Sequence, residues 1–157
     1  MSNKLETKEK ICSFYASDYH FEMIALPYMC KSLEENKDVV ILTENNLNDT
    51  MKTLLSKMNF KDDKKEAILN LDWENNDLKK FKKIKSNIEN NQNMVIFIKG
   101  KENYIKNANQ NLEKWISKTE NLKIIDCYDI EEVTDRANDI INSYDKILRT
   151  AGEMKID

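Results

Sequence analysis

Asp18, His20, Glu44 and Asp126 are the side chains of this sequence best suited to trading protons, and Tyr15, Ser17 and Tyr128 stand near them as polar groups able to orient a bound molecule. Carboxylates and an imidazole within hydrogen-bond reach of one substrate would form a general acid–base site. Nothing in their spacing demands that chemistry. Ser17 and Asp18 immediately precede a stretch of helical period, where a side-chain oxygen accepts from free backbone N–H groups and caps the helix. His20 is the only histidine, and a lone imidazole builds no metal site unless carboxylates or thiolates converge on it. Asp126 lies within an apolar run, where an unpaired carboxylate is costly. It sits at an exposed strand end, pairs with a cation such as Lys99, or serves a function. The seven residues are taken as ligand-binding candidates; no catalytic residue and no metal ligand is assigned.

The glycine inventory restricts cofactors. The chain has 2 glycines, Gly100 and Gly152, and 1 proline, Pro27. No GxGxxG follows the first apolar run, no GxxxxGK[ST] occurs, and no GxSxG elbow is present, so dinucleotide, Walker-type ATP and hydrolase-elbow sites are not expected. A receiver-type phosphoacceptor would need an acidic cluster after the first strand and a lysine after the last. Of that template only Asp72, after the third expected strand, fits. No cofactor is assigned.

Two alternating apolar periods set the scaffold around these residues. Short runs rich in β-branched residues, Ile11–Tyr15, Val39–Thr43, Ala67–Leu71, Met94–Ile98 and Leu122–Cys127, suit strands buried on both faces. Between them apolar residues recur at helical spacing: Leu47, Met51, Leu54, Leu55 and Met58; Leu78, Phe81, Ile84 and Ile88; Tyr104, Ile105, Ala108, Leu112, Trp115 and Ile116. A first helix, Asp18 to Glu35, should kink or split at Pro27. A last helix is expected from Ile130 through Val133, Ala137, Ile140, Ile141 and Tyr144 to Leu148. Lys79, Lys80, Lys82 and Lys83 flank Phe81 as a solvated face, and Trp73 and Trp115 suit core packing. Five β-α units predict a three-layer α/β sandwich of Rossmann-like or RecA-like type, a mainly parallel five-stranded sheet with helices on both faces. Ligands of such sheets bind beyond the carboxyl ends of the strands. Residues 1–157 read as a single α/β domain.

Charge and composition narrow the partners. Lys+Arg 25 against Asp+Glu 28 gives a net charge of −3, without the basic excess of a nucleic-acid binder. Arginine, the bidentate reader of phosphate and guanine, occurs only at Arg136 and Arg149. Cys12, Cys30 and Cys127 lack CxxC spacing and suit reduced, buried thiols. Met1–Lys10 has no apolar signal-peptide core, and no apolar run approaches the ~18 residues of a membrane span. A cytoplasmic protein with no nucleic-acid and no membrane partner is expected.

The first β-α-β unit resembles MEDS (DcmR-type sensory) domains, which look like RecA/KaiC-type ATPase relatives without a phosphate-binding loop. The resemblance rests on Ile11-Cys12-Ser13-Phe14-Tyr15 with its terminal aromatic pair, on Pro27-Tyr28 in the following helix, on Val39-Val40-Ile41-Leu42-Thr43-Glu44, and on Cys127-Tyr128-Asp129. Arg149, Gly152, Glu153 and Met154 are similar to an Arg…Gly-Glu-Met element that the family carries earlier in its chain. Glu35-Asn36-Lys37 stands where the family has glycines. The resemblance implies a non-catalytic sensory or regulatory signalling module that binds a small molecule or a partner protein. With no output domain in this sequence, it would act through a partner or as a homodimer. Two other readings stand beside it: a protein–protein scaffold without a pocket, favoured by any exposed apolar patch on the last helix around Tyr144, Ile147 and Leu148, and a small acid–base enzyme using Asp18, His20, Glu44 and Asp126.

Overall fold

Aliphatic and β-branched runs pair into one sheet at the centre of the protein. The computed structural model describes residues 8–90, 92–116 and 122–156. Its strands are β1 (Lys8–Tyr15), β2 (Asp38–Thr43), β3 (Met94–Gly100), β4 (Leu122–Asp129), β5 (Lys146–Arg149) and β6 (Gly152–Lys155), in the order β2-β3-β4-β1-β5-β6. All neighbours are parallel except β5 and β6, which form an antiparallel hairpin. The helices are α1 (Asp18–Glu34), α2 (Asn48–Lys57), α3 (Asp62–Leu69), α4 (Asp77–Glu89), α5 (Glu102–Glu113), α6 (Ile130–Val133) and α7 (Ala137–Ile141), with a 3₁₀ turn at Thr134–Arg136 between the last two.

The strands alternate their side chains between two cores, as the pleat requires. Ile11, Val39, Ile41, Val95, Phe97 and Ile125 pack beneath α1, α2 and α3, against Phe21, Leu26, Met29, Met51, Leu55 and Trp73. Cys12, Val40, Leu42, Ile96, Ile98 and Ile124 face the opposite way, beneath α4, α5 and α6, against Ile84, Ile88, Ile105, Leu112 and Val133. All seven residues of β3 are buried. The result is the three-layer α/β sandwich that the alternating periods imply.

The sheet has six strands rather than five, and two expected elements change identity. Ala67–Leu71 is not a strand: Ala67, Ile68 and Leu69 end α3, and only Ile68 of the run is buried. A short apolar run is ambiguous in period, and Asp62 and Asp63 in the first turn favour the helix through its dipole. The expected last helix ends at Ile141. Ile147 and Leu148 instead lie in β5, where Lys146 and Ile147 pair with Ile11 and Cys12 of β1 and close an otherwise open edge of that strand. Both are buried, so they form no exposed patch. Pro27 does not split α1, which runs unbroken over 17 residues. Its buried face, including Phe21, Ile24, Ala25, Leu26 and Met29, holds the helix against the sheet despite one missing backbone bond.

Candidate functional site

Four parallel strands end side by side, and the connections that leave them enclose a polar crevice of about 290 Å³ lined by Tyr15, Ser17, Asp18, Glu44, Asn45, Lys99, Gly100, Lys101 and Asp129. At its base lies Lys99, the penultimate residue of β3 and only 2% exposed. Its ammonium meets Asp18 Oδ1 at 2.9 Å and donates to Asn45 Oδ1 at 3.2 Å, while Asn45 Nδ2 donates to Asp18 Oδ2 at 3.2 Å. The same ammonium stands 4.6 Å from the centroid of the Tyr15 ring and 5.6 Å from that of Phe21, within range of cation–π attraction. Three elements are thereby tied together: the first turn of α1, the loop after β2, and the end of β3.

The other polar groups of the crevice are also engaged. Ser17 caps α1, its hydroxyl accepting from His20 N–H at 3.1 Å, and His20 Nδ1 accepts in return from Ala16 N–H at 2.8 Å. The imidazole thus ties down the residue just ahead of the cap, one position before the N–H that the glutamate of a capping box would take. Glu44 Oε1 accepts from Lys101 N–H at 2.8 Å, supplying a partner to α5, which lacks a side-chain cap of its own. Gly100 permits that approach, because a Cβ there would lie 2.7 Å from Glu44 Oε1 and 2.7 Å from the Tyr104 ring. Asp129 caps α6, accepting from Glu131 N–H at 3.0 Å. Burial, with Asp129 the foremost of several acidic neighbours, raises the Tyr15 phenol well above its ordinary pKa, so it stays protonated.

The seven candidate residues therefore fall into three places. Tyr15, Ser17, Asp18 and Glu44 share the crevice. His20 lines a different cleft. Asp126 and Tyr128 point to the opposite face of the sheet. Asp126, 1% exposed, pairs not with Lys99 but with Lys10, Nζ to Oδ2 at 2.9 Å. It also accepts from Asn109 Nδ2 at 3.0 Å and from the Tyr144 hydroxyl at 2.6 Å. Tyr128 joins through its 2.6 Å hydroxyl contact with Tyr144 and stacks on Phe14 at 5.9 Å between centroids. Strand alternation makes this division, since Lys99 belongs to the Val95–Phe97 side and Asp126 to the Ile124–Tyr128 side. Asp18, His20, Glu44 and Asp126 do not converge on one acid–base centre.

Several polar residues of consequence carry no clear signal in the sequence. Glu22 is fully buried on α1 one turn beyond Asp18, its Oε2 accepting from Thr50 Oγ1 at 2.6 Å, while Oε1 has no partner among the described residues. The one sequence cue was a charged residue amid the apolar stripe of Phe21, Ile24 and Ala25. Lys80 is 3% exposed rather than solvated. Its ammonium donates to Ile41 O at 2.6 Å and to Glu74 O, which brings Lys80 inward and leaves Leu78 80% exposed. Trp73 is core, its indole donating to Ile68 O at 2.9 Å. Cys12, Cys30 and Cys127 are buried and unpaired, and burial pushes the Cys12 thiol up to about 12. Among the described residues no cluster of histidine, cysteine and carboxylate side chains could hold a metal ion, and no helix is long and apolar enough to cross a membrane.

A larger cavity lies away from the crevice. It is a groove of about 600 Å³ between α1 and the β5–β6 hairpin, lined among others by Pro27, Tyr28, Lys31, Lys123, Arg149 and Glu153. No protein-family model, curated protein or solved structure matches this chain.

Proposed function

We propose that this chain is a non-catalytic regulatory module whose strand-end crevice takes a small anionic molecule in competition with Asp18 for Lys99. The observation that carries the reading is the buried ammonium of Lys99, matched by one carboxylate on the first turn of α1 and by the Asn45 amide. A charge this deep needs an anionic partner. A ligand anion that replaced Asp18 would release the start of α1 from the end of β3, coupling occupancy to helix position. Such a ligand shifts the equilibrium only by its difference in affinity for the two arrangements. The signalling role is also what the resemblance to MEDS domains implies.

Absence of turnover is supported by the engaged state of the acid–base groups. Asp18, Glu44 and Asp129 are held in an ion pair or helix caps, and the Tyr15 phenol is held protonated. The Ala16 and His20 amides, which stand where a phosphate loop would offer donors, are already bonded to His20 Nδ1 and Ser17 Oγ.

A melting-temperature screen with small carboxylates, phosphates and nucleotides, run on wild type and on Asp18→Asn, tests the proposal. A binder is expected to raise the wild-type melting temperature with concentration. Its affinity should increase at least severalfold in Asp18→Asn, where Lys99 has lost its competing carboxylate. An anion that binds both proteins equally would place the site elsewhere. Phosphate release from ATP by purified wild type, lost in Asp18→Asn, would remove the non-catalytic reading.

A further inference from the structure

We infer that a second cleft, between α1, α6–α7 and the ends of β1 and β5, binds an amphiphilic monocarboxylate, with its head group on Arg149 and His20 and its hydrocarbon body inside. The cleft measures about 370 Å³ and its walls are chiefly Phe14, Ile24, Ile130, Ile141, Ile147 and Leu148. A mostly apolar concavity of this size with a few polar groups has the character of a small-molecule site.

Charge selects the ligand. The lining includes Arg149 and His20 and no acidic side chain. Among the described residues no carboxylate pairs with Arg149, whereas Arg136, the other arginine, pairs with Glu102. A guanidinium fork matches a carboxylate through two parallel hydrogen bonds. His20 adds a second donor. Its Nδ1 accepts from Ala16 N–H at 2.8 Å, which places the proton of the neutral ring on Nε2. The larger groove along α1 also borders Arg149, Ile24 and Leu148, so Arg149 lies where the two cavities adjoin. The cations of that groove are partly matched already: Lys37 by Glu35 at 3.2 Å, and Lys123 by Glu153 at 3.2 Å. The apolar cleft has no such internal counter-charge. Its combination of hydrocarbon walls with an unmatched guanidinium and an imidazole N–H fits an acid with an apolar body rather than a sugar, a nucleotide or an apolar amine.

The site is separate from the strand-end crevice, so the inference does not depend on the function proposed above. Calorimetric titration of the purified protein with hexanoate, octanoate and decanoate, each below its micelle concentration, tests it, with decanol and decylamine as uncharged and cationic counterparts. Affinity should rise about three- to fourfold per added methylene as chain is buried. Decanol and decylamine should bind at least tenfold more weakly than decanoate. Arg149→Gln, an exposed position, should lose at least tenfold in decanoate affinity. Ala137→Phe, which fills the cleft from α7, should abolish binding. Failure of wild type to bind decanoate, equal binding of decanol, or undiminished binding by Arg149→Gln would each overturn the inference. If Ala137→Phe fails to fold, the Arg149→Gln and decanol comparisons decide the matter alone.

Discussion

Glu22 has no exposed surface, and burial raises its pKa from the ordinary carboxylate value to about 7, with Asp18 adding to the rise while the Thr50 hydroxyl and Lys99 oppose it. Between pH 4.5 and about 7 the unfolded chain has released this proton while the folded chain keeps it. Stability must then fall as pH rises through that window and level off above it. Urea denaturation at pH 5 and pH 8 should show a loss in wild type that Glu22→Gln lacks, on the order of 2–3 kcal/mol. Equal pH slopes for the two proteins would mean that Glu22 is ionised in the fold. Asp126 illustrates the other way to bury a carboxylate. It is surrounded by the Lys10 ammonium, the Asn109 amide and the Tyr144 hydroxyl, and it ties β1, α5 and the segment before β5 to β4. Its place within an apolar run announced a partner; the identity of that partner depended on which neighbours the sheet brought alongside.

At the scale of elements, the open edge of β2 poses a problem. The strand is buried on both faces along most of its length, yet only one of its sides is paired, with β3. An apolar edge of this kind invites pairing with another chain. Lys80 of α4 answers it by carrying its ammonium to Ile41 O and Glu74 O, with Asp72 at 3.7 Å. Burial lowers the pKa of that ammonium, and Asp72 and Asp77 oppose the shift. Lys80→Met keeps the stem but leaves both carbonyls without their donor, so a loss of about 1–3 kcal/mol is expected in urea titrations, together with increased light scattering. Unchanged stability would show that water serves these carbonyls equally well. The helical stripe of α4 was legible from Phe81, Ile84 and Ile88. The inward turn of Lys80 was not, because a lysine flanked by other lysines reads as solvated until the bare edge beside it is known.

For the whole molecule, strand order determines what is near what. β1 lies inside the sheet, between β4 and β5, so the segment nearest the start of the described chain is completed by segments near its end. A chain shortened after Asp145 should expose the edge of β1 at Ile11 and Cys12, where Lys146 and Ile147 otherwise pair. It is expected to lose its sharp urea transition and to elute from size exclusion as aggregate. A cooperative, monomeric truncation would show that the hairpin is dispensable. Local patterning was enough for the α/β class, four of the six strands, and α1, α2, α4 and α5, whereas of the seven candidate site residues only Tyr15, Ser17, Asp18 and Glu44 share the strand-end crevice. Those properties follow from local periodicity, from capping chemistry and from the general position of βα loops. Long-range packing made Ile147 and Leu148 a strand, brought Lys99 to Asp18 and Asp126 to Lys10, and put Arg149 and His20 on one apolar cleft. These outcomes depend on strand order and on which side of the pleat each residue faces relative to distant segments, and such long-range relations have no local period from which to be read.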